Sequence, residues 1–184
     1  MLLPIYIYGH PILRKVSEDI TADYEGLGKL IDDMFQTMYE SDGVGLAAPQ
    51  IGKNIRLFVI DGSAFSDIDP ACKGFKKAFI NAHILERSGD DVSFNEGCLS
   101  IPGIHEDVVR KDRIKITYRD ENWVEHTEVF EGTQARIVQH EYDHLDGVMF
   151  TDHLAPLKKS LLKRKLNHIS AGKFNIDYRF VLPK

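Results

Sequence analysis

The stretch RIVQHEYDHLDG (136–147) constrains the fold more than any other part of the chain. On a helix, His140 and His144 stand one turn apart on the same face, so both imidazoles can reach a single ion. Glu141 follows one residue later, about 100° around the helix, beside such an ion rather than on it. A general base for a water held there has to stand in that place. Ala135, Ile137, Val138, Tyr142 and Leu145 surround these polar groups. A helix that is apolar on most sides belongs in a core. The rest of the chain must therefore pack around this helix while leaving one polar face open to a site.

The flanking sequence supplies the layers. Leu27, Leu30, Ile31, Met34 and Met38 mark the buried stripe of a helix from about Tyr24 to Glu40, with Thr21 or Asp23 as cap and Gly43 past its end. RLFVID (56–61), KAFINAHIL (77–85) and DVVRKDRIKITYRD (107–120) read as strands, and WVEHTEVFEG (123–132) pairs with the last across DEN. DGSAFSDIDPACKG (61–74) reads as a loop between strands. The HEYDH helix is expected over Thr133–Leu145, with Thr133 as N-cap and Gly147 as the residue that ends it. A third helix near Pro156–Ile169 carries Leu157, Leu161, Leu162, Leu166 and Ile169 as its apolar set. Its other face, Lys158, Lys159, Lys163, Arg164 and Lys165, reads as solvent-facing. YRFVL (178–182) adds a last strand. Strands and helices come in blocks without βαβ alternation, which predicts an α+β fold with antiparallel pairing. A chain of 184 residues without repeats or linkers suits one domain spanning 1–184.

Net charge of −5 argues against a general nucleic-acid binder, and no specific nucleic-acid motif is present. No apolar run approaches the ~20 residues that span a bilayer. The N-terminus MLLPIYIYGHPILRK lacks a basic leader and a small-residue cleavage site, so it reads as mature protein. Two cysteines, Cys72 and Cys98, do not make a disulfide framework, and the reduced cytoplasm is the expected compartment.

Two histidines do not hold a catalytic metal, which usually takes three protein ligands and leaves one position open. His153 and His168 lie downstream, at spacings unlike the extended metzincin pattern. Cys98 lies upstream in NEGCLSIPG (95–103), Gly-flanked and near a strand end, while Cys72 sits in a polar loop and looks incidental. Three readings follow: a metal-dependent amidohydrolase, a zincin-like metallo-endopeptidase that would not need Cys98, and a binding module whose warrant is the basic face at 158–165. GVGLAAPQ (43–50) offers two glycines, which allow either a close backbone approach or a positive φ. It follows a helix rather than a strand and lacks the rest of a phosphate-loop pattern, so a turn or a peptide-pairing edge is left.

Taken together, GVGLAAPQIG (43–52), EGCLS (96–100) and QHEYDHLDG (139–147), with the opening GHPILRKVSEDI (9–20), resemble the peptide deformylase family in order and spacing over most of the chain. The resemblance implies antiparallel β-sheets packed around the central helix, with N-terminal and C-terminal helices outside. It implies Cys98, His140 and His144 as metal ligands and Glu141 as general acid/base. Gln50, by its amide, and Leu99, by its backbone N–H, would hold the formyl oxygen. Gly45 would stand in the substrate cleft, and Val44, Ile137 and Val138 are the candidates for a methionine pocket. The activity implied is removal of the N-formyl group from N-formylmethionyl peptides, with release of formate. A Cys/His₂ site accepts zinc, iron, nickel or cobalt. The family points to Fe²⁺, with the others as replacements, and hence to oxygen sensitivity. One departure stands out: His105 occupies a position where many relatives carry an arginine that holds substrate, and Arg110 could serve instead only if its strand bends. A transient ribosome contact through the basic helix is the remaining partner expectation.

Overall fold

The computed structural model describes residues 1–184. At its centre is Leu57–Asp61 (β3), whose Leu57, Phe58, Val59 and Ile60 are all completely buried. Alternate side chains of a strand point to opposite faces. Phe58 and Ile60 accordingly enter the apolar cluster that contains Ala135, Ile137 and Val138, while Leu57 and Val59 enter the one that contains Ile31, Met34 and Met38. Burial on both faces is why RLFVID is apolar throughout rather than alternating.

β3 pairs antiparallel with Gly45–Ala47 (β2) on one side and with Lys76–Cys98 (β4) on the other. β4 pairs antiparallel with Ile101–Arg119 (β5), and β5 with Glu125–Glu131 (β6), giving the order β2-β3-β4-β5-β6. The helix Leu27–Glu40 (α1) covers one face of the sheet and Gly132–Leu145 (α2), bearing HEYDH, the other. A third cluster joins Ile7 and Leu13 to Ile101, Ile104 and Phe150 and to Leu162, Leu166 and Ile169 of Pro156–Ser170 (α3). This is the expected α+β arrangement of an antiparallel sheet around the HEYDH helix.

Several expectations need correction. The second, two-stranded sheet is parallel: Ile5–Tyr6 (β1) pairs with Phe180–Val181 (β7), joining the two ends of the chain. α1 begins at Leu27 after Gly26 in a left-handed conformation (φ 73°), without a side-chain cap, while Thr21 and Asp23 bond to each other upstream. α2 begins at Gly132 with Glu131 at the cap position, so Thr133 is inside the helix; its N–H donates to Asp69 Oδ2 at 3.1 Å. Gly147 does follow the end of α2 at φ 71°. Leu157 and Leu161 are 74% and 69% exposed, because α3 lies at the margin and presents only the stripe Leu162, Leu166 and Ile169 inward. Cys72 is fully buried rather than exposed in a polar loop, near Gly62 and Phe75, and takes no part in the metal cluster. The largest difference is in β4 and β5, which extend well beyond 77–85 and 107–120 as one long ribbon interrupted by four register shifts. That ribbon carries Cys98, the last residue of β4, to the open face of α2.

Candidate metal centre and catalytic site

One ligand atom each from Cys98, His140 and His144 lie within 4.8 Å of one another. The helix supplies the two imidazoles one turn apart, and the tight connection between β4 and β5 supplies the thiol. Cys98 Sγ lies 3.5 Å from His144 Nε2 and 3.4 Å from Gln50 Nε2. A thiolate and two neutral imidazoles with one side open are the donor set of a catalytic transition-metal site. Nothing else in the fold explains why the three converge, and the residues present therefore fit an ion.

A metal-binding histidine usually passes its other ring nitrogen to a carboxylate that fixes its orientation. His140 Nδ1 lies 2.7 Å from Glu96 Oε1. Glu96 is itself buried and receives Arg110 Nε at 2.8 Å and Arg136 Nη1 at 2.7 Å. Burial alone would raise the Glu96 pKa, but its bonds to His140 and Arg110 hold it well below the usual carboxylate range. Burial also opposes protonation of His140, yet the Cys98 and Glu96 partners outweigh it and raise that imidazole's pKa. His144, buried and next to His140, is pushed down to about 3. An ion displacing the proton of His140 fits ordinary linkage between metal binding and proton release.

Glu141 lies beside the three donors. Burial pushes its pKa up to about 7, and its Oε2 has no hydrogen-bond partner within the protein. A buried carboxyl oxygen without a partner is costly unless the contents of the site meet it. Gly45 makes the room: a Cβ there would lie 2.4 Å from Glu141 Oε1. Gln50 is locked by its own carbonyl, which accepts from Ala47 N–H at 2.9 Å, so its amide nitrogen points to Cys98 and to Ser100 Oγ at 3.2 Å. The Leu99 N–H, in the turn between β4 and β5, donates to no group of the protein.

A cavity of about 430 Å³ opens over this group. Val44, Gly45, Gln50, Cys98, Leu99, Ile137, His140 and Glu141 all line it. Val138 does not; it is fully buried against the sheet. The helix explains the split. Ile137, Glu141 and His144 share one stripe, whereas Val138, Tyr142 and Leu145 form the other, turned to the sheet. His105 lines the cavity, its ring lying over Gly97 where a Cβ would meet it. Arg110 does not replace an arginine there, since Glu96 and Asp143 occupy its guanidinium. Sequence reading missed Glu96, although it stands first in the quoted EGCLS. It also missed Ile176 and Tyr178, which line the cavity from the far end of the chain and carry no local signal.

Comparison with known proteins bears on the whole arrangement. The model of the polypeptide deformylase family matches residues 2–160. The peptide deformylase of Christiangramia forsetii is 50% identical, over 100% of this chain and 97% of that one. That of Flavobacterium johnsoniae is 53% identical, over 97% of this chain and 95% of its own. Among solved structures, the peptide deformylase from Thermus thermophilus has a TM-score of 0.81 at 37% identity, covering 92% of this chain and 98% of that chain.

Proposed function

The chain belongs to the polypeptide deformylase family, and from that premise we propose how its own residues carry out the reaction. It is a hydrolase that removes the N-formyl group from nascent polypeptides; the endopeptidase alternative is not favoured. The observation that carries the reading is the convergence of Cys98, His140 and His144 beside a buried, unpartnered Glu141.

In this reading Cys98, His140 and His144 would hold one divalent ion, which when bound supplies Lewis acidity and brings the pKa of water toward neutrality. Fe²⁺ is the ion we propose, on the resemblance to the family, with Zn²⁺, Ni²⁺ or Co²⁺ as replacements because a thiolate with two imidazoles admits all four. Glu141, with its carboxyl near neutrality, takes the proton of the attacking water and hands it to the departing amine. Gln50 Nε2 and the free Leu99 N–H donate to the oxygen as charge develops on it. Val44 and Ile137 meet the methionine side chain, and Gly45, on the sheet's edge strand, leaves its Cβ space to Glu141 and offers its backbone to the peptide. Val138 has no part in the pocket.

The test compares formate release from formyl-Met-Ala-Ser with cleavage of an internal peptide bond, after anaerobic loading with Fe²⁺ or Ni²⁺. Formate without internal cleavage is expected. Cys98→Ser should lose the ion and the activity while Cys72→Ser keeps the ion. Full occupancy in Cys98→Ser would overturn the ligand set.

We read residues 1–184 as one catalytic domain, supported by the β1–β7 pair that joins its ends. Two unpaired thiols and work on nascent chains support a cytoplasmic site of action. The basic face of α3, with its lysines and arginine exposed, supports a transient ribosome contact.

A further inference from the structure

The segment 171–184 lies beyond the residues 2–160 that the family model matches, yet it reaches the active-site cavity. It is held there by the parallel β1–β7 pair, in which Ile5 N–H donates to Arg179 O at 2.8 Å and Ile7 N–H to Val181 O at 2.9 Å. Tyr178 stands just before this pair, half-buried, with its ring on the cavity wall. Its hydroxyl donates to the Leu99 carbonyl at 2.7 Å, across 79 positions of sequence. The next residue is held as well: Ser100 O accepts from Tyr8 N–H at 2.8 Å, and Ser100 Oγ from Gln50 Nε2 at 3.2 Å. Every acceptor of the Leu99–Ser100 turn is therefore bonded, and the Leu99 N–H is left without a partner.

We propose that Tyr178 is a positioning residue for deformylation, fixing Leu99 so that its free N–H stays aimed at the formyl oxygen. The proposal rests on the reading of Leu99 as a donor to that oxygen. A donor of this kind accelerates the reaction only if it is already oriented, since reorienting it in the transition state forfeits the gain. Leu99 has two soft dihedrals, and the plane of each flanking peptide has to be fixed to define them. The Cys98 side is held at one end only, by the pair with Ile101 that follows a register shift between Gly97 and Cys98. The other side is fixed by Tyr178 and by the two bonds to Ser100. Without the hydroxyl, the Leu99–Ser100 peptide can rock about the Leu99 Cα, and the Cys98–Leu99 peptide that carries the N–H loses the second of its two anchors. The tail thereby becomes part of the machinery rather than a strap over it.

The test uses metal-loaded, full-length Tyr178→Phe, which keeps the ring and removes only the hydroxyl. With formyl-Met-Ala-Ser, kcat should fall about tenfold, the scale of one hydrogen bond, with KM and metal content close to those of the parent. In the Zn²⁺ form, the ¹⁵N-leucine amide signal of Leu99 should broaden or split while those of Leu46 and Leu145 stay sharp. An unchanged kcat together with an unchanged Leu99 signal overturns the proposal. So does a fall in kcat that merely tracks lost metal or a lowered melting temperature, because the hydroxyl would then serve stability alone. A backbone ester in place of the Leu99 N–H separates this proposal from the reading beneath it. If the ester is harmless, the Leu99 reading fails. If the ester is costly while Tyr178→Phe is harmless, only the Tyr178 proposal fails. If both hold, Tyr178→Phe costs nothing further in the ester protein.

Discussion

A methyl group at position 45 would collide with the Glu141 side chain, 2.4 Å from Oε1, 2.6 Å from Cδ and 2.7 Å from Cγ. Glycine is needed here for the space it leaves, since neither Gly43 nor Gly45 adopts a positive φ. From sequence, close approach and positive φ were equally open for GVGLAAPQ, and the neighbour that decides between them comes from α2, about a hundred positions away. Gly45→Ala should therefore displace Glu141 without touching the metal donors. Formate release should fall at least about 10²-fold, within the usual range for loss of a positioned acid or base, while bound metal stays at the parent level. Loss of metal in step with activity would show that the collision is absorbed elsewhere. The same distinction explains Val138: the residue type was right for a pocket, but one step along the helix turns it toward the sheet.

At the scale of elements, what was legible is what periodicity and apolar runs report. The three helices and the buried β3 run stand close to where their patterns place them, because each buries a continuous stripe. The distal half of β4 was illegible for the same reason. Its residues 85–95 are almost all exposed or half-exposed, and Gly89 (φ 79°) with the nearby register shift breaks any alternation. The cap of α2 was misplaced because the Thr133 N–H donates to the carboxylate of Asp69, in a separate loop. Glu96 shows what such hidden structure does. From β4 it joins Arg110 of β5 to Arg136 and His140 of α2, so one carboxylate ties the thiol-bearing ribbon to the imidazole-bearing helix. Glu96→Gln removes the charge at nearly constant shape. It should weaken the ion by about 10–100-fold, as for other carboxylates behind a metal-bound histidine, by chelator competition. Loss of one partner from this buried cluster should also cost roughly 3–5 kcal/mol of stability by urea unfolding. Parent-like affinity would mean that His140 needs no charged partner to hold its ring.

At the scale of the whole molecule, charge is unevenly spread. The chain carries a net −5, yet the fifteen residues of α3 contain no aspartate or glutamate. Of its five cations at 158–165, Lys158 is tied to Glu106 at 3.0 Å, and the other four are exposed and form no salt bridge. Leu157 and Leu161, exposed on the same helix, were expected in the core; they mark an outer surface that the fold does not use. Sequence showed the composition of this face but not that its leucines point outward, since a marginal helix buries a narrower stripe than its apolar residues suggest. A ribosome presents dense phosphate, and each phosphate neutralised by Lys or Arg releases counterions, so such binding must weaken steeply with salt. Lys159 and Lys163 stand one turn apart and do not line the active-site cavity. The double variant Lys159→Glu/Lys163→Glu should lose co-sedimentation with ribosomes at low salt, while formate release from a free tripeptide is unchanged. Parent co-sedimentation that survives high salt, or a double variant that still sediments, would assign the basic face to solvent alone. Separate loss of the two readouts would place substrate delivery on α3 and chemistry on α2 and the end of the β4–β5 ribbon.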